Sequence, residues 1–175
     1  RWDTINQNGR IYPKSILLGQ IELYQKLVKE RRAFGEVDHS DEVQVLLKHA
    51  SHRISKIWID EQAGIVYGRV VVMDTAAGQA IKAIVKSGGV PGISSRGVGS
   101  VDENYKGEKI VQDDFHLICW DFVTEPSTPG SYMHQSSKMS ESRKLTLSEA
   151  KQFNVSAEER LYRQLMRSLS YSKNE

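Results

Sequence analysis

The sequence has little of several features that mark special classes of protein. It contains one cysteine, Cys119, so it cannot form an internal disulfide, which agrees with a reducing compartment. It has no apolar run near the roughly 18 residues that a membrane span needs, and no opening segment of the signal-peptide type. We therefore expect a protein that has no membrane partner.

The sequence also has little excess of charge of either sign. The sequence has 24 Lys and Arg residues against 22 Asp and Glu residues, for a formal net charge of +2. A specific nucleic-acid partner is not predicted, because such proteins usually carry a strong basic excess. With only four prolines and 39% hydrophobic residues, the 175-residue chain is typical of one globular domain with one sizeable core.

Local patterns predict a mixed α+β fold. Apolar residues at helical spacing predict a helix at about 13–32, and "GQAIKAIVKSGG" predicts a second helix that ends at its glycines. The β-rich runs "HRISKIWID" and "IVYGRVVVMD", separated by a turn with Gly64, predict a hairpin. Three more β-rich runs follow, "GVGSV", "EKIV" and "FHLICWDFV", with "DENYKG" as a turn between the first two.

The composition changes after Val123. The stretch "TEPSTPGSYMHQSSKMSESRK" is rich in proline, glycine and serine, which predicts an irregular linker. The segment "SAEERLYRQLMRSL" then predicts a capped amphipathic helix at about 157–170. These patterns divide the chain into a domain at 1–130 and a linker with a helical tail at 131–175.

The stretch "GGVPGISSRGVGS", residues 88–100, contains the candidate nucleophile. It places Ser94 and Ser95 among glycines, which allow the backbone to approach a substrate closely. A catalytic serine needs a base within hydrogen-bond reach and donors for the oxyanion. A Gly/Ser-rich turn between strands explains the same residues, so this motif alone does not decide between the two interpretations.

The histidines provide candidate bases. His39 lies in "FGEVDHSD", an acidic loop of the kind that often holds catalytic groups, although a solvated loop histidine fits equally well. His116 shares a predicted strand with Asp121, but the two positions have opposite parity and face opposite sides of a regular strand. His134 falls in the linker.

No metal site or cofactor is predicted. His49 and His52 have the i, i+3 spacing that could present two ligands on one helix face. Zinc sites typically use three or four protein ligands, and neither a cysteine nor a further histidine supplies a convincing third one. We interpret both residues as surface histidines.

Four segments, in order, resemble signatures of a known family. "NQNGRIYP", "GEVDH", "GRVVVMDTAAGQAIKAIVKSGGVPGISSRGVGS" and "DFVTEPSTP" are similar to those of the caudovirus prohead core serine protease family, above all its T4-like members. The resemblance runs from about Asn6 to Pro129. The fold of this family is related to that of herpesvirus assemblin, so the resemblance implies a small closed, mostly antiparallel β-barrel surrounded by helices.

The resemblance also implies catalytic residues. The family's nucleophile falls on Ser94 and its general base on His39, in the "GE..H" motif. The third member falls on Asp121, whereas assemblin-like relatives use a second histidine, which would favour His116. The run 115–121 is one residue shorter than in the T4-like pattern, so the third position stays open between these two.

Other roles follow from the same resemblance. Arg96 is expected to support the oxyanion site through its backbone N–H or through a water held by its guanidinium, with a strand-edge salt bridge as the alternative. Ser94 is expected to be exposed, with the glycines making room for substrate. Ser95 faces the opposite side of an extended segment and is expected to be structural.

The implied function is serine endopeptidase activity in the host cytoplasm, inside the assembling phage prohead. The expected substrates are scaffold and core proteins, precursors of the major capsid protein and the enzyme itself. The family preference for aliphatic-x-Glu predicts self-cleavage between Glu149 and Ala150 in "LTLSEAKQ". A homo-oligomer is left open. The alternative is a non-catalytic scaffold or core component, which a wide separation of His39 and Ser94 would favour.

Overall fold

The structure is a computed structural model that describes residues 1–134, and this part of the chain has a mixed α+β fold. The predicted fold class is therefore confirmed at the level of α+β. Its elements are β1 (Arg10–Ile11), α1 (Lys14–Lys29), β2 (Phe34–Glu36), β3 (Ala50–Asp60), β4 (Ile65–Val72), α2 (Ala76–Lys86), β5 (Gly92–Val98), β6 (Val101–Glu103), β7 (Lys109–Val111) and β8 (His116–Val123).

Helix α1 is organised by its apolar stripe. Leu17, Ile21 and Tyr24 are buried at the predicted helical spacing, and the helix packs on β3 and β8. The core cluster of buried residues around them consists of Trp2, Leu17, Ile21, Tyr24, Ala33, Ile54, Val111, Phe115 and Leu117. The helix thus forms one wall of the core. No helix among residues 1–134 is long and apolar enough to cross a membrane.

The predicted hairpin and second helix are both present. Gly64 lies in the turn between β3 and β4 with a φ of 64°, a conformation that glycine adopts without strain. Helix α2 is N-capped by Thr75, whose hydroxyl accepts the Gly78 N–H at 3.1 Å and donates to the Ala50 carbonyl at 2.6 Å. This N-cap therefore also attaches α2 to the beginning of β3.

The strands form three separate sheets, so the predicted closed barrel is wrong for the described residues. One sheet has the order β1-β7-β6, the second has the order β2-β3-β4, and β5 pairs with β8. Isolated bridges, such as Val37 with Phe122, lie outside these ladders. Several strands have only two or three residues, and register shifts interrupt three of the ladders. Barrel closure needs continuous pairing around the ring, which such short ladders do not provide.

Strand β2 lies unusually close to β8 at Gly35. A Cβ at this position would lie 2.0 Å from the Trp120 carbonyl oxygen and 2.5 Å from His52 Nε2. Only glycine fits in this space, which explains the glycine of the "GEVDH" segment. The close approach brings the loop after β2 alongside the β8 residue Asp121.

The interpretation of His52 as a surface residue is wrong, whereas His49 is exposed as expected. His52 lies in strand β3 rather than on a helix face, and it is completely buried. Its Nε2 donates to the Trp120 carbonyl at 2.9 Å, and its Nδ1 accepts from the Ser51 hydroxyl at 2.8 Å. Burial lowers the pKa of His52 to about 4, so this neutral imidazole joins β3 to β8.

We expect His52 to weaken folding at acid pH. Between its ordinary pKa of 6.5 and its folded value of about 4, the unfolded chain binds a proton that the folded protein does not. This contribution to the free energy of unfolding is therefore complete above pH 6.5, is lost as the pH falls, and levels off below about pH 4. The loss amounts to at most about 3 kcal/mol.

Urea denaturation at a series of pH values tests this expectation. His52→Gln keeps an amide donor for the Trp120 carbonyl but does not titrate, so its stability should depend less steeply on pH than that of the wild type. His49→Gln, which changes an exposed histidine, should keep the wild-type slope. Parallel curves for wild type and His52→Gln would contradict the expectation.

Candidate active site

Ser94 lies in the middle of β5, directly opposite Asp121 of β8. Its residue surface is 7% exposed, so the expectation of an exposed serine is wrong. The glycines beside it explain the difference, because they accommodate neighbouring protein groups. A Cβ on Gly92 would lie 2.7 Å from Pro126, and one on Gly97 would lie 2.5 Å from Phe115.

His39 lies in the loop after β2, with its imidazole between Ser94 and Asp121. Asp38 fixes the loop to β8 by donating its N–H to the Phe122 carbonyl at 2.7 Å, with a left-handed φ of 59° that Asp tolerates better than most residues. His39 Nε2 is 3.2 Å from Ser94 Oγ, and His39 Nδ1 is 2.8 Å from Asp121 Oδ2. The imidazole side chain is 41% exposed, so solvent reaches the pair from this side.

Asp121 is completely buried and accepts hydrogen bonds on both oxygens. Oδ2 accepts from His39 and from Arg96 Nε, both at 2.8 Å. Oδ1 accepts from the backbone N–H of Glu36 at 2.9 Å and from the Cys119 thiol at 3.2 Å. Burial by itself would raise the pKa of Asp121, but these hydrogen bonds and the nearby guanidinium lower it below its ordinary value. The residue is thus held as a carboxylate.

This carboxylate determines the tautomer of His39. An ionised Asp121 can only accept, so His39 Nδ1 carries the proton and donates it. His39 Nε2 is then left with a lone pair toward the Ser94 hydroxyl. The arrangement can remove a proton from Ser94 and stabilise the imidazolium that results.

The Arg96 side chain binds carboxylates rather than a water for an oxyanion. Its side chain is 9% exposed, and each of its five N–H donors has an acceptor in the protein. Nε and Nη2 donate to Asp121, Nη2 also donates to Glu36 at 3.0 Å, and Nη1 donates to Ser40 Oγ at 2.5 Å and the Glu42 carbonyl at 2.7 Å. The guanidinium is predicted to hold a water for the oxyanion, but it has no N–H donor left for this role. The salt-bridge alternative describes the contacts, although they are buried.

The backbone N–H of Arg96 is directed toward β8 as well. The Ile93 N–H donates to the Ser131 carbonyl on the side of β5 away from β8. Backbone N–H groups alternate between the two edges of a strand. The N–H groups of Ser94 and Arg96 therefore point toward β8, and the N–H of Ser95 points to the outer side of β5.

The remaining predicted residues lie apart from this cluster or outside the described residues. His116 is exposed at the beginning of β8, opposite Val98. Ser95 pairs with Trp120 in the ladder. Glu149 and Ala150 lie outside the described residues. Among residues 1–134, no group of three or more His, Cys, Asp and Glu side chains is arranged to hold a metal ion.

Glu36 belongs to the cluster although no role was predicted for it. Its carboxylate accepts from Arg96 and from the backbone N–H of Leu46, and it is completely buried. The signal available in the sequence was its place in the "GEVDH" segment, where an acidic residue stands between Phe34 and Val37 within a few residues of the candidate base.

Known proteins provide an independent comparison. The sequence model of the prohead core protein serine protease family matches residues 1–144. The prohead core protein protease of Enterobacteria phage T4 is 33% identical over 135 residues, which are 75% of this chain and 63% of that protein. The solved structure of the bacteriophage T4 capsid assembly protease has a TM-score of 0.68 at 31% identity, over 72% of this chain and 78% of that chain.

These matches confirm the resemblance drawn from the four signatures. The chain spans less than two thirds of the length of the T4 prohead core protein protease that it matches. The family match itself covers most of the chain and includes every element of the Ser94 cluster. The chain therefore belongs to the prohead core protein serine protease family.

Proposed function

We propose that this chain is a serine endopeptidase with Ser94 as nucleophile, His39 as general base and Asp121 as the residue that orients His39. The continuous hydrogen-bond chain from Ser94 Oγ through both nitrogens of His39 to Asp121 carries the proposal. The nucleophile–base distance is 3.2 Å, within the range that proton transfer needs. This short distance argues against the non-catalytic alternative.

The reaction follows from these contacts. Ser94 Oγ attacks the peptide carbonyl carbon while its proton passes to His39 Nε2, and the imidazolium is stabilised by Asp121. The same proton then goes to the leaving amine as the C–N bond breaks, which leaves an acyl-enzyme. A water molecule, deprotonated by His39 in turn, hydrolyses the ester and restores Ser94.

The proposed substrates come from the family. The relatives are named as a prohead core protein protease and a capsid assembly protease, which supports cleavage of core, scaffold and capsid precursor proteins inside the assembling prohead. Within this proposal, substrate reaches Ser94 from the solvent-exposed side of His39, because Ser94 itself is nearly buried.

A fluorophosphonate probe tests the serine mechanism. The purified chain should acquire the probe at Ser94, as mapped by peptide mass spectrometry, and His39→Gln should label far more slowly because it lacks the base. In parallel, the chain should cut a purified prohead core protein. A chain that cuts this protein without labelling at Ser94 would refute the mechanism. Labelling without cleavage would refute the proposed substrate.

We further expect self-cleavage between Glu149 and Ala150. Concentrated enzyme incubated over time should release a fragment that begins at Ala150, because the site directly follows a segment whose composition predicts a linker, and linkers are preferred sites of proteolysis. The fragment should be absent in Ser94→Ala and in Glu149→Gln but present in Glu158→Gln, a matched change in the predicted tail helix. An active enzyme that cuts a Leu-Ser-Glu-Ala peptide no faster than a scrambled one would contradict this expectation.

A further inference from the structure

Glu36 is a buried carboxylate that contacts three parts of the candidate active site. Its Oε2 accepts from Arg96 Nη2 at 3.0 Å, and its Oε1 accepts from the Leu46 N–H at 2.5 Å. Its own backbone N–H donates to Asp121 Oδ1 at 2.9 Å. Fully buried glutamates are rare and costly unless paired, so a specific role is expected for this one.

The first consequence concerns the position of His39. The loop that carries His39 is bounded by Glu36 at one end and Leu46 at the other, and the Glu36 carboxylate closes it through the Leu46 N–H. Arg96 holds the same loop through Ser40 and the Glu42 carbonyl. Glu36 and Arg96 therefore fix both the loop and the carboxylate that His39 faces.

The second consequence concerns charge. Without Glu36, the guanidinium of Arg96 would neutralise the single charge of Asp121 and leave nothing to balance an imidazolium at His39. With Glu36, two carboxylates face one guanidinium, for a net charge of −1. Protonation of His39 then makes the four-residue cluster of His39, Asp121, Arg96 and Glu36 neutral, which favours the charge that develops in the transition state.

Apart from Glu36, Asp121 and Arg96, no charged side chain among residues 1–134 is buried beside His39. Asp38, Asp41 and Glu42 lie in the same loop, but their side chains are exposed, where water and salt screen their charge. The remaining titratable neighbours of Asp121 are buried and uncharged at neutral pH: Tyr24 on α1, His52 on β3 and Cys119 on β8 itself.

We propose that Glu36 is a positioning residue of the active site with two roles. It closes the loop that carries His39, and it supplies the negative charge that lets Glu36 and Asp121 together balance both Arg96 and the imidazolium of His39. The proposal rests on the serine-protease function proposed above. In this proposal Arg96 has the opposite effect on the imidazolium of His39, because its positive charge reduces the net negative charge near His39.

The pH dependence of peptide cleavage tests the proposal, because the acid limb of kcat/KM reports protonation of the base. Glu36→Gln removes one negative charge but keeps an oxygen for the Leu46 N–H, so its acid limb should move to lower pH, by about half a unit or more. Its kcat should fall up to about 10-fold with little change in KM. Arg96→Gln should move the acid limb to higher pH.

Two further variants separate charge from shape. Glu36→Asp retains the carboxylate, so its acid limb should stay near the wild-type position even if kcat falls. Asp41→Asn removes an exposed carboxylate from the same loop and should keep the wild-type profile. Unshifted acid limbs in both Glu36→Gln and Arg96→Gln, or shifts in the same direction, would overturn the proposal. If Glu36→Gln does not fold, the Arg96→Gln variant decides, and an acid limb that does not move to higher pH in this variant overturns the proposal. An inactive wild-type protein refutes the proposed serine-protease function instead.

Discussion

Ser94→Ala is expected to abolish peptide cleavage, with kcat falling on the order of 10⁵- to 10⁶-fold. The Ser94 oxygen lies 3.2 Å from Nε2 of His39, the proposed base, and an alanine leaves this base with nothing to activate. Nucleophile and base act as a unit, so the loss of one removes nearly the whole contribution of the pair. The measurement is kcat on a peptide that contains the proposed cleavage sequence Leu-Ser-Glu-Ala.

Ser95→Ala is the matched control for this loss. It removes the same hydroxyl from the next residue of β5, which pairs with Trp120 rather than with Asp121 and directs its side chain to the other face. Because Ser95→Ala leaves the backbone N–H of this residue in place, we expect a folded and at least partly active enzyme. An equal loss of activity in both variants would contradict the assignment of Ser94.

Asp121→Asn is expected to lower turnover by up to about 10⁴-fold. The asparagine amide can present an N–H to His39 Nδ1, which favours the tautomer that places the proton on Nε2 and blocks acceptance from Ser94. The variant also loses a buried charge beside Arg96, so stability should fall by about 3 kcal/mol. Because Glu36 remains as a carboxylate partner for Arg96, we expect the variant still to fold.

His116→Ala separates the two candidates for the third position. His116 is exposed at the far end of β8 from Asp121, so its replacement should change kcat only slightly. Circular dichroism and thermal unfolding should accompany the kinetics, since they show whether a low activity comes from lost structure. A severe loss in His116→Ala together with a mild one in Asp121→Asn would transfer the third role to His116.

Local patterns predicted α1, α2, the β3–β4 hairpin, β7 and β8, but they missed β1 and β2 and misplaced β5 and β6, for which they gave one strand at 97–101. The stripe of Leu17, Ile21 and Tyr24 has helical spacing because one face of α1 packs on the core, and that spacing is visible in the sequence. Gly64 marks the hairpin turn for a similar local reason. The barrel prediction was wrong because strand pairing depends on register between distant segments, which no local pattern determines.

The buried polar residues were the harder part. Glu36, His52 and Arg96 have side chains that usually face solvent, and the sequence contains no sign that they pair with one another or with backbone groups in the interior. Their burial depends on β2, β3, β5 and β8 meeting in three dimensions. The parity argument that separated Asp121 from His116 assumed a regular strand, and a register shift in the β5–β8 ladder between these two residues breaks that assumption. The two residues are instead separated by their positions along β8 and by exposure, since His116 is exposed and Asp121 is buried.

The separation along the chain of the residues around His39 has a consequence for folding. The contacts of His39 with Ser94 and Asp121 join positions 55 and 82 residues apart, and those of Glu36 with Arg96 and Asp121 join positions 60 and 85 residues apart. Each such contact closes a long loop, which costs entropy and slows folding. The site therefore exists only in a chain whose β2, β5 and β8 have all come together. If the proposed function holds, a nascent or partly folded copy lacks this site and is expected to be inactive toward the proteins synthesised beside it.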